Sequence, residues 1–237
     1  MKIMNKLKEL QKELRVIADP QKAKLLQGYF KTGKGEYGEG DIFLGIMVPV
    51  SRQVAKKYKD LNFSGITRLL QSKFHEERLI ALLILVHNFN LKDEKSKKEI
   101  YEFYLNDTKH INNWDLVDLS SHEIVGQYLL DKNADVLIKL AKSENIWERR
   151  IAVISTFEFI RNNRFYESLM LAKILLQDEH DLMHKAVGWM LREIGKKDLE
   201  TEVEFLDKHC RKMPRTMLRY AIERFPEKLR MSYLKGK

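Results

Sequence analysis

The sequence predicts an all-α protein built from repeated pairs of helices. Apolar residues recur at three- and four-residue spacing almost throughout the chain, the alternation expected of strands is nearly absent, and the helical segments themselves repeat. Only four prolines interrupt the 237 residues. This length suffices for one large domain or two small ones, and we expect a single domain over residues 1–237.

The repeated segments begin at His75, Asn113, Asn145, Asp181 and Met213, so that successive starts lie 38, 32, 36 and 32 residues apart. Each segment reads as the first turns of a helix. A further helix is predicted between neighbours, over 97–105, 134–142, 165–177 and 199–209. Paired helices at a period somewhat under about 40 residues are typical of a HEAT-like α-solenoid. An ordinary helical bundle is the alternative, but the segments share charge placement as well as period.

Four helices are predicted before the repeats. Apolar residues from Leu7 to Ile17 mark the first. Asp19-Pro20 begins a second that runs to about residue 30, because proline is favoured at the first helical position. Two more follow over 49–59 and 64–72.

A glycine-rich segment separates the second and third of these helices. Five glycines between residues 31 and 45 exclude a helix and predict a mobile loop or a short β-hairpin insertion near residues 31–47. We interpret it first as an exposed loop without a role. The alternative is a finger that touches DNA through Lys31, Lys34 and Tyr37.

The net charge and the cysteine content indicate which partners the protein binds and in which cellular compartment it lies. The net charge of +9 and pI near 9.4 suggest a polyanionic partner, with nucleic acid first and anionic membrane second. Cys210 is the only cysteine, which excludes an intramolecular disulfide and a cysteine metal cluster. The charged N-terminal residues do not resemble a signal peptide, and the longest apolar run, 79–86, is too short to span a bilayer. We therefore expect a cytoplasmic protein.

The repeated segments place basic residues at comparable positions. These residues are Arg78, Arg149, Arg150, Lys185, Arg192, Arg215 and Arg219. If the helices stack in parallel, the cations line one concave wall, which suits the phosphates of a duplex. The second segment departs from this pattern with Asp115 and Asp118. A carboxylate in a basic groove weakens simple binding and therefore indicates chemistry.

The second segment begins with Asn112-Asn113-Trp114, a pattern typical of a helix start. Asn112 or Asn113 can cap the helix, and Asp115 falls in the first turn, where the helix dipole favours negative charge. Neither effect explains Asp118, which lies four residues after Trp114 and shares its helix face. The alternatives are core packing for Trp114 and an ion pair for Asp118 with Arg149 or Arg150.

Three segments together resemble the AlkD-type alkylpurine DNA glycosylases, a family of HEAT-like repeats. They are Trp-Asp-Leu-Val-Asp over 114–118, Asn-Ile-Trp-Glu-Arg-Arg over 145–150, and 185–193, which contains Ala-Val-Gly-Trp. The family's Trp-x-x-x-Asp pair corresponds to Trp114 and Asp118. Its cleft arginine corresponds to Arg150, and its second cleft tryptophan to Trp189.

This resemblance implies a DNA glycosylase that removes cationic N3- or N7-alkylpurines from duplex DNA in base excision repair. The alkylated base leaves neutral, so the protein must supply negative charge near C1′ and a positioned water, which we assign to Asp118. Trp114 and Trp189 would hold the deoxyribose. Arg150 would anchor a phosphate. AlkD-type enzymes are thought to act without flipping the base into a pocket.

Two departures from the family pattern concern the substrate range. The glycine-rich segment is longer than the matching loop of the best-known members, and related proteins with a hairpin there bind unusual DNA. Asp181-Leu182 stands where the family often has an aromatic residue. A non-catalytic HEAT-repeat protein that binds branched or damaged DNA is therefore the first alternative function, and a scaffold for an acidic protein is the second.

We expect no metal and no cofactor. His180 and His184 lie four apart, but the glutamate of a zinc-protease helix is absent between them, so they are interpreted as surface or groove histidines. The Gly-x-Gly patterns at 33–35 and 38–40 do not join a strand to a helix. The expected partner is alkylated double-stranded DNA, bound by a monomer that does not associate with membranes.

Overall fold

The computed structural model describes residues 2–236, and the side chains from residue 5 onward. Within them the regular secondary structure is helical, with no strands, which confirms the predicted all-α fold of solenoid type. Its Cα positions divide into two compact units, Met1–Ser120 and Ser121–Lys237. A single domain over 1–237 stays a prediction. Between residues 2 and 236, none of the helices combines the length and apolar character that crossing a bilayer requires.

In the described residues of the first unit there are seven α-helices. They are α1 Lys2–Val16, α2 Pro20–Tyr29, α3 Val48–Lys57, α4 Phe63–Leu70, α5 His75–Leu91, α6 Glu94–Asn106 and α7 Trp114–Asp118. As predicted, Asp19 caps α2, because its carboxylate accepts the N–H groups of Gln21 and Lys22 at 3.0 and 3.1 Å. Asn62 caps α4 and Asp93 caps α6 in the same way.

Helix α5 is the core of the first unit. Residues 79–86 are all apolar and none is more than 7% exposed. The helix packs against α3, α4, α6 and α7. An apolar run on every side of a helix is typical of one that is enclosed by its neighbours. The apolar run 79–86, which is too short to span a bilayer, is therefore the buried part of α5.

The glycine-rich segment folds as a loop of consecutive turns. In the described part of the chain it forms no hairpin, and only an isolated bridge joins Ile42 to Phe74. The N–H of Gly33 donates to Glu36 and that of Gly35 donates to Glu39, both at 2.8 Å. Gly45 has φ 83°, a conformation that glycine adopts without strain.

The second unit begins with a π-helical turn, His122–Gly126. Its helices are α8 Gln127–Leu129, α9 Asp135–Ala141, α10 Ile146–Arg161, α11 Tyr166–Ile174, α12 Asp181–Lys197, α13 Leu199–His209, α14 Arg215–Ala221 and α15 Glu227–Leu234. Helices α10, α12 and α14 pack in series, while α9, α11 and α13 pack beside them. The predicted alternation of repeated and intervening helices is therefore confirmed in this unit.

The second repeated segment forms a shorter helix than most of the other repeated segments. Its helix begins at Trp114, as expected from the asparagine cap, but ends at Asp118. The other repeated helices of full length, α5, α10 and α12, run for 17, 16 and 17 residues. Asp118 is therefore the last residue of a short helix.

Close packing of α12 on α14 depends on Gly188. A Cβ at this position would overlap the carbonyl oxygen of Met217 and the Cβ of Tyr220. The Gly188→Ala variant should therefore unfold more easily, by about 1–3 kcal/mol, as expected for overpacking. Urea unfolding measures the loss.

Gly28→Ala in α2 is the matched control, because nothing lies within 4 Å of a Cβ added there. Alanine favours a helix over glycine by up to about 1 kcal/mol, so this variant should be as stable as the parent or more so. Equal stability of the Gly188→Ala variant and the parent would contradict the close approach of α12 and α14.

Candidate functional site

The start of α7 is fixed by Asn113, which is fully buried. Its side-chain oxygen accepts the N–H of Trp114 at 2.8 Å, and its amide group donates to Asp41 at 3.1 Å. Asp115 follows in the first turn and accepts the N–H of Leu116 at 2.8 Å. The predicted cap is therefore present, and Asn113 also joins α7 to the glycine-rich loop.

Trp114 is half-buried and is held on three sides. Its indole stacks on Phe30, with ring centroids 4.8 Å apart and planes 8° from parallel. Tyr29 meets it edge-on at 5.9 Å, and its N–H donates to the hydroxyl of Tyr37 at 3.3 Å. Trp114 is thus neither a wholly enclosed core residue nor a loose surface residue. It is an oriented aromatic ring with part of its surface accessible.

Asp118 ends α7 and is half-buried. Burial, chiefly, and the negative charge of Asp118 raise the pKa of the Tyr104 hydroxyl, which is bonded to Ser120 at 2.9 Å. The carboxylate of Asp118 therefore lies close enough to the buried Tyr104 hydroxyl to disfavour its ionisation. Trp114 and Asp118 are the first and last residues of one short helix, which gives them the four-residue spacing of a shared face.

A buried charge network lies beneath α7. The imidazole of His75 bonds to Asp115 through Nε2 at 2.8 Å and to Asp41 through Nδ1 at 3.0 Å. Arg78 forms a second ion pair with Asp41. His75 is 1% exposed and stacks on Phe43 at 4.3 Å. Neither Asp41 nor His75 carries a local sequence pattern that predicts a site residue.

These contacts determine the protonation of the network. Burial alone lowers the pKa of His75, but the charge and hydrogen bond of Asp115 and then the contacts of Asp41 outweigh burial and raise it to about 9. Burial likewise opposes ionisation of Asp41, but the hydrogen bond from His75 and the charge of Arg78 hold its pKa below the ordinary value. At neutral pH, His75 is an imidazolium between two carboxylates.

The next two residues of α5 tie further segments to the same turn. The Glu76 carboxylate accepts the N–H groups of Leu44, Gly45 and Ile46 at 2.8, 2.8 and 3.1 Å. Glu77 accepts from Gln11 at 2.9 Å and from Arg15 at 2.5 Å, which fixes α1. Four consecutive charged residues at the start of an otherwise apolar helix are the sequence signal for this arrangement.

Arg78 and Arg150 are buried, in contrast to their expected positions on an open basic wall. Arg78 is 4% exposed and binds Asp41 and the carbonyl of Ser72. The open position expected for Arg78 is therefore wrong, because its charge neutralises a buried carboxylate. Arg150 is 5% exposed and donates to the carbonyl of Leu182 at 2.7 Å, so any phosphate contact requires the side chain to move.

The other predicted cations differ in exposure. Arg149 pairs with Asp178 at 2.7 Å, Lys185 pairs with Asp181 at 2.7 Å, and Arg192 pairs with Glu223. The exposed residues of the predicted set are Lys31, Lys34, Arg215 and Arg219. Fewer of the predicted cations are exposed than the sequence pattern suggests.

Trp189 of α12 is half-buried, and its indole N–H donates to Glu193 at 3.0 Å. Phe157 lies beside it, with ring centroids 5.9 Å apart. Trp147 is 7% exposed and belongs to the core. Trp189, like Trp114, keeps part of its ring accessible.

His180 and His184 are engaged at the start of α12. Nδ1 of His180 accepts the N–H of Leu182 at 3.1 Å, and His184 bonds to the carbonyl of Asp178. Over residues 2–236, no group of three or more His, Cys, Asp or Glu side chains is arranged to hold a metal ion.

Comparison with known proteins identifies the family. A model of the family described as DNA alkylation repair enzyme matches residues 10–225. The chain belongs to this family. Membership indicates a role in the repair of alkylated DNA, with DNA as the partner.

One solved structure is similar over most of its length. It is described as a predicted DNA alkylation repair enzyme from Enterococcus faecalis, with 16% sequence identity and a TM-score of 0.68. The match covers 89% of this chain and 97% of that one. At this identity the likeness shows a shared fold alone. No curated protein matches the chain.

The His75 network predicts a dependence of stability on pH. The folded pKa of His75, about 9, lies above its ordinary value of 6.5. Its stabilising contribution is therefore complete below pH 6.5 and is lost as pH rises through 9. The free energy of unfolding should fall by a few kcal/mol across this range. Urea unfolding at several pH values measures the change.

The control is His75→Gln, which cannot become charged and should lack this fall, although it is less stable overall. Direct titration of the imidazole in the parent by NMR supplies a readout that does not require the variant to fold. An imidazole that titrates near pH 6.5, or a flat stability profile of the parent, would contradict the charged network.

Proposed function

We propose that the chain is a DNA glycosylase that excises cationic N3- or N7-alkylpurines from duplex DNA. The observation that carries this proposal is α7, with the oriented ring of Trp114 at its start and Asp118 at its end. Membership of the DNA alkylation repair enzyme family supports a repair role, but it does not specify this reaction.

The proposed reaction is hydrolysis of the bond between C1′ and the purine nitrogen. Alkylation at N3 or N7 gives the base a positive charge, so the bonding electrons return to the base and it leaves neutral. Positive charge develops on the sugar, and water then forms the new bond to C1′ and releases a proton. Asp118 stabilises the sugar cation electrostatically and positions the water.

Trp114 serves as an aromatic wall for the deoxyribose. The accessible part of its ring offers a negative π-face to the developing sugar cation, a relative of the cation–π interaction. Phe30 covers one face by stacking, so the substrate would use the other face of the indole. Since the ring is already oriented, little reorganisation is needed when the sugar arrives.

The second unit contributes two further residues to the proposal. Resemblance of segments 145–150 and 185–193 to the AlkD-type family assigns a phosphate contact to Arg150 and a second aromatic wall to Trp189. Partial exposure supports the role of Trp189. Arg150 is 5% exposed, so its role requires release from the carbonyl of Leu182.

A non-catalytic protein that binds branched or damaged DNA is the second candidate. The observation that favours it is the glycine-rich loop, on which Lys31 and Lys34 are both exposed. Two exposed cations on this loop suit a duplex backbone without any requirement for Asp118. Release of free base from a duplex containing N7-methylguanine separates the two candidates.

Asp118→Asn should reduce base release and leave DNA affinity unchanged or higher. The substitution preserves size but removes the charge that stabilises the sugar cation, a loss of about 2.7–4 kcal/mol for one preorganised electrostatic group. It also removes a repulsive charge from the DNA surface. Single-turnover release of N7-methylguanine and duplex affinity are measured together.

Asp115→Asn is not an equivalent control, because Asp115 is bonded to His75 and its loss should lower the melting temperature. Glu123→Gln provides a better one, since it removes a half-buried carboxylate outside α7. Excision by the Asp118→Asn variant at the parent rate, or no release of alkylpurine by the parent, would leave the DNA-binding candidate in its place.

Salt dependence tests the proposed phosphate contacts of the arginines. Arg219→Ala should lower the log–log slope of duplex affinity against salt by about 0.9, the share of one phosphate. The phosphate contact proposed for Arg150 predicts the same change of slope for Arg150→Ala, which should in addition reduce stability by about 1–3 kcal/mol, because a buried carbonyl loses its donor. Arg230→Ala in α15, a partly exposed arginine paired with Glu227, is the control and should leave the slope unchanged. Equal slopes for the Arg219→Ala variant and the parent would show that Arg219 makes no contact with a DNA phosphate.

A further inference from the structure

The glycine-rich loop contacts two successive residues at the start of α7. Tyr37 accepts the indole N–H of Trp114 at 3.3 Å, and Asp41 accepts from the amide of Asn113 at 3.1 Å. The loop is therefore attached to the helix that carries the candidate chemistry. An exposed loop without a role would not require either contact.

The loop holds its own shape through bonds near Tyr37. Glu36 and Glu39 accept the N–H groups of Gly33 and Gly35, and the N–H of Gly38 donates to the carbonyl of Lys31 at 3.1 Å. Gly38 is buried, and a Cβ there would overlap the carbonyl oxygen of Phe30. The backbone on both sides of Tyr37 is thus fixed close to the aromatic residue on which Trp114 stacks.

Stacking and hydrogen bonding restrain different motions of Trp114. Parallel stacking on Phe30 fixes the plane of the indole, but a ring can still rotate or slide within that plane at small cost. The single N–H of the indole points along one direction in the plane. A hydrogen bond from this group to Tyr37 therefore restrains the rotation that stacking leaves open.

We propose that Tyr37 is a positioning residue, which fixes the in-plane orientation of Trp114 for the sugar of the substrate. This inference rests on the proposed function for its effect on catalysis. Tyr37 acts through Trp114 and makes no contact with the reacting atoms. The extended loop then serves to set the geometry of the aromatic wall, in addition to any contact of Lys31 and Lys34 with DNA.

The test uses Tyr37→Phe in the full chain, which keeps the ring and removes the hydroxyl. The protein has three tryptophans, so three indole N–H signals are expected by NMR. Trp114→Phe assigns the signal of Trp114. In the Tyr37→Phe variant this signal should move upfield because its acceptor is lost, while the signal of Trp189, bonded to Glu193, stays in place.

The kinetic readout separates positioning from binding. Single-turnover release of N7-methylguanine by the Tyr37→Phe variant should fall about 3- to 10-fold, the share of one neutral hydrogen bond, with duplex affinity and melting temperature unchanged. Tyr166→Phe removes a hydroxyl from a 72% exposed tyrosine of the second unit and is the matched control. It should change neither the signal nor the rate.

Other results would contradict either the positioning role of Tyr37 or the proposed function. An unmoved Trp114 signal in the Tyr37→Phe variant overturns the positioning role. A parent-like rate, or weaker duplex binding at an unchanged rate, also overturns it, the latter by making Tyr37 a DNA contact. If the parent releases no alkylpurine, the proposed function fails, but the NMR signal still reports whether Tyr37 orients Trp114.

Discussion

The contact of His75 with two carboxylates is the constraint on which the first unit depends. His75 begins α5, Asp41 lies in the glycine-rich loop, and Asp115 lies in the first turn of α7. Each carboxylate is buried and would be unstable there without a cation, because desolvation strongly penalises an unpaired charge. The three segments can therefore adopt this arrangement only together. Arg78 and Asn113 complete the bonding of Asp41 and fix the loop against the start of α7.

This constraint explains why the basic pattern of the sequence overstates the exposed positive charge. A cation in a repeated helix has two possible partners, a phosphate outside or a carboxylate inside. Arg78 has an internal partner because Asp41, far away in the sequence, folds against it. Arg149 pairs with Asp178 from the segment before α12. The net charge of +9 still favours a polyanion, but it is the exposed residues such as Arg219 and Lys34 that can meet one without rearrangement.

Local physical chemistry predicted the helices well and the charge network poorly. Caps such as Asp19, Asn113 and Asn145 act within three residues of themselves, so their roles are visible in the sequence. The bond of His75 to Asp41 spans 34 residues, and its bond to Asp115 spans 40, with no periodic pattern to indicate either. The helix dipole is a sufficient reason for Asp115 in the sequence, so its bond to His75 could not be predicted from its position. Of the candidate site, the family resemblance identified Trp114 and Asp118, while Tyr37 acquired a specific partner only in the folded chain.

The same network distinguishes the two carboxylates of α7. Asp115 uses one oxygen for the N–H of Leu116 and the other for His75, so both of its oxygens serve the fold. With His75 and Arg78 positive and Asp41 and Asp115 negative, the four charged groups are neutral together, and the network adds no net charge to the helix. Asp118 lies at the other end of α7 and is half-buried, so its carboxylate keeps part of its surface accessible. Both oxygens of Asp115, in contrast, are engaged in the interior. Asp118, and not Asp115, is therefore the residue that we propose stabilises a developing sugar cation.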